Sequence, residues 1–211
     1  PDVVRGVYLA LSFLTKPESP TIIPAPAYMP FWELTAATGR ETMVIDAYGG
    51  LDLNDIDDCF KRGAGSLILC NPYREFLIEL ADLTARYDAR IISDEIHGPL
   101  VYDGTHIPAA SVSDTAAQVC VTVTATSKAW NIAGLKCAQM IFTNDEDVAR
   151  WNAVPWMLRD GVSILGLVAA QACYEAPTSF LDDQVAQLKA NRDFLVEELP
   201  KRAPGVLTTN P

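Results

Sequence analysis

The sequence predicts an α/β fold with three layers, in which helices cover both faces of a mostly parallel β-sheet. Two observations lead to this prediction. Segments such as Ser66–Cys70 (SLILC) and residues 90–93 (RIIS) are short and largely apolar, as expected for strands buried on both faces. Segments such as Val3–Leu14 and Leu53–Lys61 place apolar residues at helical spacing and alternate with the strands along the chain.

The other predicted elements continue this alternation. Further strands are predicted at residues 21–23, 41–46, 119–124 and 138–142. Further helices are predicted from Pro30 onward and at residues 74–87, 145–151, 163–174 and 180–199, with a last strand at residues 205–207. Because helices dominate from Asn144 onward, we expect a large α/β domain over residues 1–175. Residues 176–211 are expected to form a connecting helix and the beginning of a smaller α+β domain.

The composition argues against several classes of function. With 211 residues, 49% of them hydrophobic, the chain can bury a sizeable core. A formal net charge of −11 opposes nucleic-acid binding, and no apolar run of about 20 residues predicts membrane insertion. The five cysteines are widely spaced, which indicates small buried hydrophobic residues in a reducing, cytoplasmic compartment. With two histidines in the chain, no metal site is expected.

Polar residues that can carry chemistry follow three of the predicted strands. Asn71 follows SLILC, Asp94 and His97 follow RIIS, and Ser127 and Lys128 follow VTVTAT. The carboxyl ends of the strands form the ligand site in an open α/β sheet, so these groups are expected to converge on one small molecule. An amine at the end of a buried strand loses hydration and can form a Schiff base with a carbonyl compound.

Each of these residues also has a plainer interpretation. Lys128 could be a surface lysine of a loop, Asp94 could cap a helix, and His97 could be structural. Asn71 precedes a proline, as in many turns. Ser127 and Lys128 could indicate a Ser–Lys hydrolase, but side chains of adjacent residues normally point apart, which argues against this class. The DEIH segment could be a Walker B motif of a helicase-like ATPase, but the sequence has no G-x-x-x-x-G-K-[ST] loop.

Several motifs together resemble one enzyme family. SDEIH at residues 93–97 and TSKAWNIAGLK at residues 126–136 occur with PAYMPF upstream and SILGLVAAQACYE downstream. This combination resembles the fold-type I pyridoxal 5′-phosphate (PLP) enzymes of the class I/II aminotransferase superfamily. Within it, the sequence is similar to the cystathionine β-lyase (carbon–sulfur β-lyase) branch, especially its corynebacterial and other actinobacterial members. The similarity runs over essentially the whole chain and implies a PLP-dependent transferase-like fold.

The resemblance implies a role for each residue near the cofactor ring. Lys128 would bind PLP covalently and later move the α-proton of the substrate. Asp94 would pair with the protonated pyridine nitrogen and so keep the ring an electron sink. His97 would lie near the phenolic oxygen, where related aminotransferases have a tyrosine, and Tyr28 would stack on the ring, although a tyrosine among prolines is ordinarily a packing residue.

The resemblance also implies the remaining cofactor contacts. Asn71 begins the asparagine motif of the family and is expected at the cofactor. Ser127 and Lys136 occupy positions where phosphate ligands are expected. The backbone at Val3 and Val4 matches the helix start that receives the phosphate, consistent with anion binding at helix N-termini.

By resemblance, the function is α,β-elimination from L-cystathionine or a related cysteine S-conjugate, which gives a thiol such as homocysteine, pyruvate and ammonia. The alternative is a PLP-dependent aminotransferase, which shares the fold and the first steps. A protein that keeps this fold as a binding or regulatory module without turnover is a third possibility. The expected partners are a small sulfur amino acid and a second copy of the protein in a homodimer.

The sequence departs from the family pattern in three places. CNPY runs directly into REFLIEL after Tyr73, so the second asparagine and the glycine of N-P-x-N-P-x-G are absent. Either this loop is shorter or a segment is missing from the sequence, and the matching flanks favour a missing segment. Ala125 replaces a serine that often stands three residues before the lysine. The N-terminal arm and the arginine that binds the substrate carboxylate are also expected to lie outside this chain.

Overall fold

The computed structural model describes residues 1–71 and 76–206 and contains a six-stranded sheet in the order β2-β1-β3-β4-β5-β6. The strands are β1 (Thr21–Ala25), β2 (Thr42–Asp46), β3 (Ser66–Cys70), β4 (Arg90–Asp94), β5 (Cys120–Thr124) and β6 (Gln139–Ile141). Strands β1 to β5 pair in parallel, whereas β6 is antiparallel to β5. The predicted α/β fold with a mostly parallel sheet is confirmed.

Helices cover both faces of this sheet. They are α1 (Val3–Leu14), α2 (Pro30–Ala37), α3 (Leu53–Lys61), α4 (Leu77–Arg86), α5 (Asp114–Val119), α6 (Asp145–Ala153), α7 (Trp156–Arg159), α8 (Ile164–Glu175) and α9 (Ser179–Arg202). Three short 3-10 helices lie at Gly98–Leu100, Ala109–Ser111 and Ala133–Leu135. Helices α1 and α2 pack on one face, and α3, α4 and α5 pack on the other, which gives the three predicted layers.

The core forms because successive strand residues point to opposite faces of the sheet. In β4, Ile91 packs in the cluster with α3 and α4, whereas Ile92 packs in the cluster with α1. Both side chains are almost fully buried, and burial of a side chain of this size contributes roughly 1.5–3 kcal/mol. Both faces are therefore apolar, which explains the continuous hydrophobic runs in the sequence.

Helix α1 lies close to the sheet because it carries a glycine at the contact. A Cβ atom on Gly6 would lie 2.5 Å from Cγ1 of Val123 in β5. The absence of that atom lets the helix backbone approach the strand. This approach places the first turn of α1 near the end of β5, where the predicted site residues lie.

Two arginines anchor the elements around the sheet. Arg40 is buried, and its guanidinium donates to the carbonyl oxygens of Leu11 (2.8 Å), Lys16 (2.8 Å) and Ser19 (2.9 Å), joining the end of α1 to the approach to β1. Arg90 at the start of β4 forms a two-point ion pair with Asp147, whose side chain in α6 is fully buried. The Arg90–Asp147 pair fixes α6 against the amino end of the strand.

The predicted boundaries differ from the structure in several places. Strand β1 continues through Ala25, and β5 begins only at Cys120 because the preceding residues form α5, a helix that the sequence analysis did not predict. Helix α7 was also not predicted, and α9 extends three residues beyond residue 199. The strand predicted at residues 205–207 is wrong for Gly205 and Val206, because Gly205 forms a turn with φ +95°.

Parts of two predictions lie outside the described residues. The predicted helix at residues 74–87 is α4 over Leu77–Arg86, and its residues 74 and 75 are not described. The expected shortened loop after Tyr73 and residue 207 of the last predicted strand also lie outside the described ranges. Over residues 1–71 and 76–206, no helix has both the length and the apolar character needed to cross a membrane.

Candidate active site

A cavity of about 470 Å³ opens at the carboxyl edge of the sheet. Parallel strands β3, β4 and β5 all end at this edge, so the residues that follow them meet there. The cavity is also bounded by the first turn of α1 and by the loop before α2. Every predicted site residue except Asn71 lines it.

Asp94 is the buried carboxylate of this cavity, with 8% of its surface exposed. Its Oδ1 atom accepts a hydrogen bond from the backbone N–H of Ile96 (3.1 Å), and in the described part of the chain the carboxylate has no other hydrogen bond. Burial raises the pKa of Asp94 to about 6, with the neighbouring Glu95 adding to the rise, while the Ile96 hydrogen bond and Lys128 oppose it. Asp94 is therefore suited to pair with a cation that enters the cavity.

Lys128 lies in the turn after β5 and faces the same cavity. Hydrogen bonds from the Trp130 N–H to the Thr126 carbonyl (3.0 Å) and from the Ile132 N–H to the Ser127 carbonyl (3.0 Å) fix this turn. The Lys128 amine has no hydrogen-bond or ion-pair partner among residues 1–71 and 76–206. Lys128 is exposed, because the turn carries its side chain beyond the buried strand. The prediction that its amine loses hydration is therefore wrong for this structure. Its amine is accessible to a carbonyl compound.

His97 and Tyr28 lie on the open side of the cavity. The surrounding protein atoms and then the Lys128 charge lower the pKa of His97, so its imidazole is neutral at neutral pH. Tyr28 is 53% exposed and meets Phe31 edge to face at 5.7 Å between ring centroids. Both rings are exposed at the cavity, where they can contact a planar ligand.

The first turn of α1 meets the turns that carry Ser127 and Lys136 at one corner of the cavity, which could bind an anion and is named the anion-binding corner. The backbone of Val3 and Val4 and the side chains of Ser127 and Lys136 line it. The helix N-terminus supplies unpaired N–H groups and a partial positive charge. Lys136 adds an ammonium group held at a left-handed backbone position, with φ +56°.

Asp2, which the sequence analysis missed, occupies this corner. Its Oδ1 atom accepts from the backbone N–H of Arg5 (2.9 Å), and its Oδ2 atom pairs with the Lys136 amine (3.0 Å). Burial raises the pKa of Asp2, but these contacts outweigh burial and hold it below its ordinary value. An aspartate directly before an amphipathic helix is the sequence signal of such a cap. Asp2 therefore competes with any anion for Lys136.

Asn71 does not line the cavity but lies behind it, 1% exposed. Its backbone N–H donates to the Asp94 carbonyl (2.9 Å), and its side-chain amide donates to Glu95 (3.2 Å) and to the Ile107 carbonyl (2.9 Å). The predicted direct contact of Asn71 with a cofactor stays a prediction. In this structure Asn71 contacts the residues around Asp94.

Cys70 is a second lining residue that the sequence analysis did not single out. The prediction that the cysteines are buried is right for Cys59, Cys120 and Cys137, whereas Cys70 is exposed and Cys173 is partly exposed. The surrounding protein atoms and the Asp94 carboxylate raise the pKa of Cys70 to about 12. Its thiol is therefore protonated at neutral pH.

The chain is similar to proteins of known class. A cystathionine beta-lyase from Corynebacterium glutamicum is 54% identical over 209 residues, which cover 95% of this chain and 56% of the lyase. The cystathionine beta-lyase PatB from Bacillus subtilis is 30% identical over 95% of this chain. A crystal structure described as a PLP-dependent beta-cystathionase from Corynebacterium diphtheriae superimposes with a TM-score of 0.97 at 54% identity, covering all of this chain and 58% of that one.

These matches define how far the relationship extends. The chain spans little more than half the length of the relatives it matches. The family model described as aminotransferase class I and II matches residues 4–210, nearly the whole chain. The parallel sheet, the cavity at its carboxyl edge and these matches agree: the chain belongs to the aminotransferase class I and II family.

Proposed function

We propose that the protein is a PLP-dependent carbon–sulfur β-lyase that cleaves L-cystathionine or a related cysteine S-conjugate. The observation that carries this proposal is the convergence of the buried Asp94 carboxylate and the accessible Lys128 amine on one cavity. The 54% identity to a cystathionine beta-lyase supports the reaction and substrate class. Water and L-cystathionine would be converted to homocysteine, pyruvate and ammonia.

The donor set of the cavity fits each polar part of PLP. Asp94 forms no ion pair within residues 1–71 and 76–206, and it would accept a hydrogen bond from the protonated pyridine nitrogen. Lys128 would bond to the aldehyde carbon, and His97 would lie toward the phenolic oxygen. The anion-binding corner, with the first turn of α1 and Lys136, would receive the phosphate. Bound in this way, PLP supplies an electron sink for negative charge at the substrate α-carbon.

Lys128 is the residue proposed to move protons during the reaction. With the substrate held at the cofactor, the Lys128 Nζ atom would take the proton from the substrate α-carbon. The C–S bond would then break, its electron pair would leave with the sulfur as a thiolate, and the proton held by Lys128 would be returned to give the thiol. The remaining three-carbon fragment hydrolyses to pyruvate and ammonia. His97 contributes a neutral imidazole beside this lysine, so it adds no positive charge that would oppose protonation of the amine.

Asp94 and Tyr28 are proposed to position the cofactor ring. The Asp94 carboxylate is held by Ile96 at the end of β4, a strand paired on both sides, so its position is rigid. Tyr28 can stack on the ring face because its side chain is largely exposed to the cavity. Stacking there would fix the tilt of the cofactor ring in the cavity.

An aminotransferase is the second candidate, because the matching family includes this activity. Alanine aminotransferases from mycobacteria are 25% identical over 68% of the chain. The two candidates share Lys128, Asp94 and the first proton transfer, and they differ in whether a β-substituent leaves. A protein that binds PLP without turnover is the third candidate.

The deciding experiment measures thiol and pyruvate release from L-cystathionine by the full-length protein loaded with PLP. Equal amounts of both products support β-elimination. No thiol, with conversion of the bound cofactor to its amine form, would instead establish an aminotransferase. Stable PLP binding without either change would establish a binding module. The Lys128→Ala variant serves as the inactive control.

We further propose that the protein acts in the cytoplasm as a homodimer. The five cysteines are all free, which supports a reducing compartment. Ile164, Leu165 and Val168 of α8 are 77%, 69% and 63% exposed, which supports burial of this face against a second copy. Sedimentation of the full-length protein tests this assembly, and a monomer at micromolar concentration would contradict it.

The domain division also remains a proposal. Residues 1–175 would form the cofactor-binding domain, and residues 176–211 would lead into the smaller domain. The exposed character of α9, which has no buried residue, supports a connecting role. Limited proteolysis of the full-length protein tests this division, since cleavage within or just after α9 is expected.

A further inference from the structure

A buried carboxylate, Glu95, lies directly behind the candidate active site. Its side chain is 5% exposed, and its Oε1 atom accepts hydrogen bonds from Ser93 Oγ (2.8 Å), the Ala109 N–H (2.8 Å) and the Asn71 amide (3.2 Å). Its Oε2 atom meets Nε2 of His106 at 2.8 Å. A buried carboxylate with this many hydrogen bonds holds its donors at defined positions, because a donor that moved away would become a buried polar group without a partner.

These contacts involve the residues on both sides of Asp94 in the chain and the end of the neighbouring strand β3. Ser93 precedes Asp94 in β4, and Glu95 follows it. Asn71, at the end of β3, donates its backbone N–H to the Asp94 carbonyl while its side chain donates to Glu95. Glu95 also continues the pairing of β4 with β5, because its N–H donates to the Val123 carbonyl (2.9 Å). Glu95 therefore joins both strands that flank the cavity to the backbone of Asp94.

His106 completes this network from the long loop between β4 and α5. Gly98 lies against its ring so closely that a Cβ atom on Gly98 would be 2.8 Å from Nε2. The imidazole is therefore confined between Gly98 and Glu95. Nδ1 of His106 is buried and has no hydrogen-bond partner in the described part of the chain, so the Nε2 contact with Glu95 is what orients the ring.

We propose that Glu95 and His106 form a positioning pair that holds Asp94 in the cavity and places the Glu95 negative charge behind it. This inference rests on the proposed PLP site, because Asp94 is the group through which the pair acts. Neither residue of the pair need contact the cofactor. The pair instead fixes the direction of the Asp94 carboxylate and strengthens the binding of a proton or cation there, since like charges at short range favour neutralisation.

The test compares isosteric variants of the full-length protein. Glu95→Gln removes the charge with little change in shape, and His106→Leu removes the hydrogen bond to Glu95. His106→Gln restores an N–H donor near the position of Nε2 and is the rescue variant. Glu146→Gln is the matched control, because it removes one exposed carboxylate from α6. Circular dichroism and thermal melting establish that each variant is folded.

Two readouts separate positioning from a general effect on stability. The first is the dissociation constant for PLP, which Glu95→Gln and His106→Leu should raise by about tenfold while His106→Gln and Glu146→Gln change it less than about threefold. The second is NMR titration of the Asp94 carboxyl in the cofactor-free protein. Glu95→Gln should lower that pKa, because it removes a negative charge beside Asp94.

The outcomes are distinct. Folded Glu95→Gln and His106→Leu variants that match wild type in PLP binding and in the Asp94 titration would overturn the proposal. Variants that melt at a lower temperature but keep the wild-type PLP dissociation constant and Asp94 pKa would show a structural role only, which would also overturn the proposal. If the wild type binds PLP more tightly than Glu95→Gln but does not cleave cystathionine, the proposed function is contradicted and the positioning pair is supported. A wild type that binds no PLP would overturn both.

Discussion

Asp94 and Glu95 are consecutive carboxylates that point to opposite faces of the sheet. Asp94 lies on the side of Ile92 and faces the cavity, whereas Glu95 lies on the side of Ile91 and is enclosed by donors. The pleat of a strand imposes this division on any two neighbouring residues. One carboxylate therefore remains available for a ligand while the other, one residue away, holds the surrounding strands.

Asp94→Asn is expected to stabilise the cofactor-free protein at high pH. The folded structure raises the pKa of Asp94 from 3.8 to about 6, so ionisation opposes folding as the pH rises from 4 to 6. Above pH 6, this pKa difference costs the wild-type protein about 3 kcal/mol of folding free energy. The uncharged asparagine avoids that loss. Urea unfolding of both proteins at pH 8 and pH 4 measures the effect. The stabilisation should shrink toward zero at pH 4, and equal free energies of unfolding at pH 8 would contradict the prediction.

Lys128→Ala should reduce kcat/KM for L-cystathionine by at least about 10⁴-fold, since it removes the proposed base and covalent anchor. The Lys61→Ala control removes an exposed lysine that pairs with Asp57 on α3, and it should leave the rate unchanged. Steady-state pyruvate production by the two variants provides the comparison. A rate within tenfold of wild type for Lys128→Ala would remove Lys128 from the mechanism.

Asp2→Asn is expected to tighten PLP binding by about threefold to tenfold. Asparagine caps a helix about as well as aspartate, so α1 should keep its start, while the negative charge that competes for Lys136 is lost. Equilibrium titration with PLP, monitored by protein fluorescence, measures the dissociation constant. A weaker affinity would show instead that Asp2 orients Lys136 toward the phosphate.

Gly166→Ala should displace the turn that carries Lys136. A Cβ atom at Gly166 would lie 2.1 Å from the backbone oxygen of Leu135, so α8 or the turn must shift. We expect a loss of about 1–3 kcal/mol in the free energy of unfolding together with weaker PLP binding. Gly134→Ala is the matched control in the same turn, because a Cβ atom there meets nothing within 4 Å. Equal effects of both substitutions would refute this account.

Arg90→Met should destabilise the protein by about 3–5 kcal/mol, because it leaves the fully buried Asp147 carboxylate without its charge partner. The double variant Arg90→Met with Asp147→Leu should recover much of that loss, since two apolar side chains can replace a buried ion pair. Denaturant unfolding of the single and double variants gives both values. Additive losses would show that the two residues do not act as a pair.

The sequence predicted the sheet well because buried parallel strands carry a strong apolar signal. SLILC became β3 with the predicted bounds. The six-residue helix α5 was missed because it spans fewer than two turns and has no clear periodicity. Its cap, in which Ser113 Oγ accepts from the Ala116 N–H, is a local signal that could have revealed it. The antiparallel direction of β6 is set by tertiary pairing and has no signature in a short segment.

The site was predictable where it depends on strand order. Asp94 and Lys128 each follow a parallel strand, so their approach to one edge follows from topology. Asn71 follows a strand as well, but its amide is used by Glu95 and Ile107 in the fold. The contact of Glu95 with His106 joins two residues 11 apart across an irregular loop, which no periodic pattern indicates.

The protonated state of Cys70 has a consequence for a site proposed to release thiols. Thiol–disulfide exchange requires the thiolate, and the surroundings of Cys70 raise its pKa to about 12. Disulfides that form from a released thiol would therefore react slowly with this side chain, even though it faces the cavity beside Lys128. Burial of the thiol and, to a smaller extent, the Asp94 carboxylate thus oppose mixed-disulfide formation between Cys70 and an oxidised product.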